Sequence, residues 1–497
     1  MAVSFNKIPS NIRVPLFYAE VDNSLAGIYT QNLRALLIGQ RLSSGTVAEA
    51  VPTVVATADQ AKKYFGKGSS LARMVEGFRR NNLSTEIVAI ALDDAGSAVK
   101  ATGQIAFTGT ATEAGTISAY IGGQRVQVGV SVGSTAAQLA TALTAAIEAT
   151  TSLPVNAEAT SGDVDLTAKH GGTIGNQIDI RMNYRGTLGG EVTPAGISVA
   201  VTAMADGATD PDIADAIAAM GDEDYEYIVI PWTDTTTLDA IKEEMNDTAG
   251  RWSYVRQLFG HVFAAKAGTS SALDTFGDGR NDPHVSVFGY YDSPTPAYEA
   301  AAMIAGSAGG ALSIDPARPL QTLEVVGFLS PPDVSKFVFA EKQTLLNSGI
   351  STLTHLNGTT RIERCVTTYQ KNAFGETDIS YLDVTTLATL AYILRSMRSR
   401  ITQKFPRHKL ANDGTRFGDG QAIVTPAIIR AELVALYSEL ENIGLVENIE
   451  AFKANLIVER NATDPNRLDV VYPPDLINQL RVFAVLAQFR LQYDEAA

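Results

Sequence analysis

Five histidines, His170, His261, His284, His355 and His408, are the side chains of this 497-residue sequence best suited to metal binding or proton transfer. None falls at the H-x-x-x-H or H-E-x-x-H spacing that lets one helix face present two imidazoles to a zinc ion, so they read as separate core or surface residues. The stretch GKGSS, Gly66 to Ser70, has the glycines and lysine of a phosphate loop but lacks the first glycine of that motif. It predicts a turn capping the helix that follows. DTFGDGR, Asp274 to Arg280, resembles a calcium loop, yet it sets Phe276 at a ligand position and has no closing glutamate, so a solvated turn is expected. A Ser-His-Asp hydrolase would need a strained elbow of the G-x-S-x-G type, and none occurs. Polar groups that could converge after strands are limited to Trp232, Thr233 and Asp234, and to Tyr290, Tyr291 and Asp292. They sustain an α/β hydrolase-like enzyme only as a competing class. Cys365, the single cysteine, excludes an intrachain disulfide and reads as a small buried apolar residue. No catalytic, cofactor or metal-binding residue is assigned, and no cofactor is expected.

The chain carries a net charge of −15 and a pI of about 4.9. Phosphates would be repelled, so no direct nucleic-acid ligand is expected. No run of 18 apolar residues occurs, and the start, MAVSFNKIPSNIRVPLFYAEV, lacks a basic-then-apolar leader, so no membrane partner is expected. Against this acidic background one segment is basic. Between Asp383 and Asp413 there is no carboxylate, while Arg395, Arg398, Arg400, Lys404, Arg407 and Lys409 fall there. Charge at a helix C-terminus complements the macrodipole, but six cations exceed what capping needs. The cluster is read as docking an acidic protein surface as well.

The elements that must carry these residues form several domains. Pro9 and Pro15 forbid helix in an N-terminal arm over 1–30, where Val14, Leu16, Tyr18 and their neighbours favour extended chain. RALLIGQ, two helical stretches and EIVAIAL then alternate as in a helix-covered parallel sheet. The alternation stops at 96–205, where Gly, Thr, Ala and Ser separate short alternating stretches. A β-rich insert is predicted there. It resumes with TDPDIADAIAAMG, read as a helix with Asp210 as N-cap, Pro211 in the first turn and Gly221 at the stop, followed by the strand YEYIVIPW. The fold class is therefore α/β plus α+β. A split, doubly wound α/β domain at 31–95 and 206–370 carries the insert. A C-terminal α+β domain at 371–480 has long helices near 382–405 and 426–443, and a strand arm covers 481–497.

That last arm contains RVFAVLAQFRLQY, Arg481 to Tyr493. From Ala487 it alternates as a half-buried strand does, and it is expected to join a small sheet with ANLIVER and RLDVVYPP. A sticky strand at a chain end templates association unless it is covered.

RALLIGQ, MVEGFRRNN, YEYIVIPWTD, YYDSPTPAYEAAA and the whole stretch from Asn455 to Tyr493 together resemble the contractile tail sheath proteins of bacteriophages, most nearly, in length and order, those of Mu-like phages. The resemblance implies a structural subunit that forms a helical homopolymer of stacked six-membered rings around a tail tube protein, bounded by baseplate and tail terminator proteins. The insert would be an outer domain and the C-terminal domain an inner one. Contraction would drive the tube through a host envelope for DNA delivery. It further implies that the arms, Val14, Leu16 and Tyr18 at one end and Phe483, Val485, Phe489, Leu491 and Tyr493 at the other, are donated to a neighbour's sheet around Leu456, Val458, Val470 and Tyr472. The basic cluster would face the tube. The virion tail, after assembly in the host cytoplasm, would be the location. A tailocin or type VI-like injection sheath shares this physics.

Overall fold

The structure is a computed structural model that describes residues 33–418 and 420–491. Among these, two compact units form, a larger one over 33–316 and 320–391 and a smaller one made of Ala317–Pro319 with the described residues from Tyr392 to Leu491.

The larger unit begins with β1 (Arg34–Gln40), β2 (Thr53–Val54), α1 (Ala58–Phe65), α2 (Ser70–Asn81) and β3 (Glu86–Leu92). β1 and β3 are apolar on both faces because both faces are covered, as in parallel sheets. GKGSS is indeed a cap: the Ser69 hydroxyl accepts from the Ala72 amide at 3.2 Å and opens α2.

The insert follows with β4 (Lys100–Gly109), β5 (Gly115–Ile121), β6 (Gln124–Val130), α3 (Ala136–Ala149), β7 (Val155–Thr160), β8 (Asp163–Gly171), β9 (Ile180–Met182) and β10 (Ile197–Ala205). They make a four-stranded sheet, β10-β4-β8-β7, and a three-stranded one, β6-β5-β9. The two share one core with α3, through Ile105, Phe107, Ile117, Leu139, Leu143 and Leu166. The chain enters and leaves this body through one paired point. Val99 and Ala208 exchange both backbone hydrogen bonds, at 2.9 and 3.1 Å.

The central sheet resumes with α4 (Ala214–Met220), β11 (Tyr227–Val229), α5 (Thr235–Met245), β12 (His261–Ala267), α6 (Ser270–Asp278), β13 (Val285–Tyr290), α7 (Ala297–Ile314), α8 (Phe339–Asn347), β14 (Ile350–Leu356) and β15 (Thr359–Arg364). The order is β15-β14-β13-β12-β11-β1-β3-β2, with the strands from β3 to β14 parallel and the two edge strands antiparallel. Two helical layers cover it. Gly39 of β1 lies against Leu71 and Met74 of α2, and Tyr227, on the same side, lies against Gly309 of α7. Gly289, on the opposite side, meets Leu273 of α6. Right-handed crossovers place α4 and α5 with α6, away from α2, because the chain moves outward from β1 to β3 and then back past it. The Ala- and Gly-rich face of α7 permits close contact with α2. A Cβ at Gly306 would stand 2.7 Å from the Phe78 carbonyl oxygen.

Two local expectations fail here. α4 starts at Ala214, not beside Asp210, whose carboxylate instead binds Thr173 at 2.5 and 2.6 Å, so the competing side-chain bond holds the chain out of helix. Asp274, Thr275 and Phe276 lie in α6 rather than in a turn, because Thr269 caps that helix and Leu273 anchors it in the core.

Arg73 joins insert and central sheet. Its guanidinium meets Glu299 at 2.5 Å and donates to the carbonyls of Gly122 at 2.7 Å and Ser152 at 2.8 Å. Burial works to lower its pKa, and the Glu299 carboxylate outweighs that and raises it.

α9 (Val384–Lys404) runs from the larger unit into the smaller, which continues with β16 (Lys409–Leu410), β17 (Ile423–Val424), α10 (Pro426–Asn442), α11 (Ile449–Asn455), β18 (Ile457–Arg460) and β19 (Leu468–Val471). Thr425 caps α10 and Pro426 occupies its first turn. The core is Ile393, Ile429, Leu433, Leu436, Tyr437, Leu440 and Phe452.

Candidate interaction surfaces

α10 and α11 support the surface at issue. Tyr437 and Phe452 stack at 3.8 Å, and Tyr472 packs edge-on to Phe452 at 4.9 Å, which seats the end of the β18–β19 hairpin on the helices. Leu456 is buried with them. Arg430 donates to the carbonyls of Lys453 and Leu456 and so caps α11. The hairpin pairs Val458 with Val470 and Ile457 with Val471. Its turn is closed by Asn461, whose side-chain oxygen accepts from the amides of Thr463 and Asp464 at 2.9 Å.

Beyond Tyr472 the chain is tied down only briefly. Glu447 donates to the Asp475 carbonyl at 2.9 Å, Ile477 to the Leu445 carbonyl at 3.2 Å and the Gln479 side chain to the Ala317 carbonyl at 2.6 Å. The expected closing strand does not form. Residues 481–491 have no regular structure, and the small sheet has two strands, not three. The physical reason lies in the side chains. Val482, Phe483, Val485, Leu486, Phe489 and Leu491 are all exposed, Phe489 by 86% and Leu491 by 96%, so the described residues offer them no surface to pack against. Both outer edges of the hairpin carry no partner strand among the described residues. Val14, Leu16, Tyr18 and Tyr493 lie outside the described residues.

The basic cluster is divided by the fold. Arg400 pairs with Glu432 at 2.9 Å and with Glu439, and Lys404 pairs with Glu432 at 2.8 Å. Arg395 is buried. Arg400 and Lys404 hold α9 to α10 and Arg395 is buried, so within the subunit these three do not form the exposed basic surface that was expected. Arg398, Arg407 and Lys409 are exposed. α10 supplies the missing carboxylates, and the seven-residue spacing of Glu432 and Glu439 on one helix face is the signal that would have found them.

The candidate chemical groups are structural. Asp234 caps α5 through the Thr237 amide at 2.9 Å, Thr233 accepts from Lys266 at 3.2 Å, and Trp232 is buried. Tyr290 donates to the Thr295 carbonyl at 2.8 Å and Asp292 pairs with Arg181 at 3.0 Å, while Tyr291 is exposed. His261 meets Ser286 at 2.8 Å in the closed core, but its Nδ1 has no carboxylate to orient it. Burial depresses His261 to about 3, His284 to about 4 and His355 to about 4. Cys365 is buried. Among the described residues no group of three His, Cys, Asp or Glu side chains could hold a metal, and no helix is long and apolar enough to cross a membrane.

The parts that a family comparison must account for are thus a split sheet, a β-rich insert and a hairpin-bearing C-terminal unit with an exposed apolar segment. Three family models match this chain: the phage tail sheath protein β-sandwich domain over 96–198, the central domain over 206–368 and the C-terminal domain over 376–490. The tail sheath protein of the Mu-like prophage FluMu of Haemophilus influenzae is 44% identical over 494 residues, which span 99% of this chain and all of the relative. The chain belongs to the phage tail sheath protein family, a structural component of the phage tail and not an enzyme. Among solved structures, a sheath tail protein of Desulfitobacterium hafniense aligns with a TM-score of 0.47 and 12% identity over 93% of this chain and 100% of that one. One of Listeria innocua aligns at 0.48 and 12%, over 92% and 94%.

Proposed function

We propose that this subunit polymerises around a tail tube by donating its ends to neighbouring copies, and that the resulting sheath contracts to drive the tube through a host envelope. The observation that carries the reading is the run of exposed apolar side chains from Val482 to Leu491 in a unit whose hairpin has open edges. Each such side chain is worth about 1.5–3 kcal/mol once buried. Strand addition supplies main-chain hydrogen bonds and alternate pockets together, and it ties subunits without fixing their relative orientation. Phe483, Val485, Phe489, Leu491 and Tyr493 are the donated set at one end, and Val14, Leu16 and Tyr18 at the other. Leu456 to Arg460 and Leu468 to Tyr472 receive them.

In this reading Arg398, Arg407 and Lys409 face the tube, and rings of six subunits stack between baseplate and terminator proteins. Assembly takes place in the host cytoplasm, and contraction draws on interface energy stored in it, with no nucleotide, nucleic acid or membrane contact needed. The split central sheet stays rigid while the terminal ties flex. Deleting 480–497 tests the reading. The shortened chain is expected to keep its melting temperature and to form no tubes or rings in negative-stain electron microscopy at concentrations where the full chain does. Tubes of normal appearance from the shortened chain would refute the donated C-terminal arm.

A further inference from the structure

The larger unit carries two opposite charge surfaces that do not meet within one copy. The first is a cleft of about 1060 Å³ where the insert meets the carboxyl ends of β1 and β3. Its carboxylates are engaged: Asp93 holds Arg41 at 2.6 Å, Asp94 holds His170 at 2.9 Å, and Asp59 lies 3.7 Å from Lys62. Of its lysines, Lys62 is also held by Glu76 at 3.2 Å, but the other four have no carboxylate partner among the described residues. Lys63, Lys67 and Lys100 are exposed and form no ion pair among the described residues, and Lys169 donates only to carbonyls, at 2.9 Å to Thr151 and 3.4 Å to Lys67.

The second surface is the α4 segment. From 186 to 241 the sequence has eleven carboxylates and no lysine or arginine. Asp206, Asp212 and Asp215 stand exposed along it, while Asp222 further on pairs with Arg256 at 3.0 Å. α4 covers the face of the sheet away from α2, whereas Lys63 lies in α1 and Lys67 in the turn between α1 and α2.

We propose that the lysine cleft of one copy receives the acidic α4 segment of the next, a head-to-tail contact between sheath subunits. The inference rests on the sheath reading, since it needs a second copy of this chain as the occupant. Charge complementarity selects that occupant, because the chain is acidic overall and its densest acidic run is this one. A contact between two different patches does not close on a dimer. It propagates as a ring or a helix. Being solvated at its rim, it is also weakened by salt, so it forms and releases more readily than the apolar ties of the terminal arms.

Three full-length variants test it by sedimentation and negative-stain microscopy across concentration, at low and high salt. K63E/K67E/K100E and D206K/D212K/D215K are each expected to raise the concentration needed for polymerisation at least tenfold at low salt while melting as the wild type does. The six-fold variant, with both surfaces reversed, restores assembly, as does an equal mixture of the two triple variants. Normal assembly by both triple variants, or no recovery in the six-fold variant, would overturn the contact and leave the arm-donation reading standing. Tripolyphosphate binding that K63E/K67E/K100E loses, with assembly unchanged, would also overturn it and reassign the cleft to a small polyanion. A wild-type chain that stays monomeric under every condition, with tube protein added, would remove the sheath reading and this contact with it.

Discussion

Arg73 shows how a single residue fixes domain placement. It is buried with Glu299, and its remaining donors hold carbonyls from two separate loops of the insert. Arg73→Ala strands a buried carboxylate and is expected to cost about 3–5 kcal/mol, read as a lowered melting temperature. The pair replacement Arg73→Met with Glu299→Leu should recover much of that loss, because no charge is then left unpaired; equal damage from single and double changes would show that the carbonyl contacts dominate. The histidines give a pH signature. Unfolded imidazoles gain protons below about 6.5, whereas buried His261 and His284 and half-buried His355 stay neutral until about 3 to 4, so the unfolded chain binds more protons in that window. Stability is complete above pH 6.5 and falls as pH drops through it, each histidine adding at most about 1.4 kcal/mol per pH unit. Asp282, raised by burial above the usual carboxylate range, acts in the opposite sense as pH falls through its raised value. His284→Phe, which keeps a ring against Trp252, should flatten the fall of melting temperature between pH 6.5 and 4; an unchanged slope would refute its part. The isolation of the histidines was legible from their spacing. Which of them would be buried was not, because burial is decided by neighbours far away in the chain.

At the scale of elements, what could be read depended on where the partner lies. β1 and the cap of α2 follow from residues within a few positions, and both formed where expected. The segment from Phe483 to Leu491 alternates as strands do, yet a strand needs a ladder, and no described edge of its own chain supplies one. The pattern describes a partner rather than a conformation. The pairing within the basic run was hidden for a different reason, since sequence displays the cations together while Glu432 and Glu439 arrive from the next helix. Glu432→Ala is accordingly expected to lower stability by about 1–2 kcal/mol, a modest amount because the network is partly exposed. R398E/R407E/K409E should melt normally and weaken decoration of tail tubes. Unimpaired decoration would exclude those three from the tube contact.

At the scale of the whole molecule, the central sheet reads as one domain only after the insert is set aside, and the composition change near Ala95 and Ala205 made that division visible. The strand order was not visible, because it depends on which strand the chain returns to after a hundred intervening residues. It returned beside β1, on the side away from β3. The single crossing at Val99 and Ala208 also makes the gene segment between them a cassette. Its product could be shortened, exchanged for a foreign module or lost over evolution with the reading frame of the sheet untouched, since both cut ends already lie side by side.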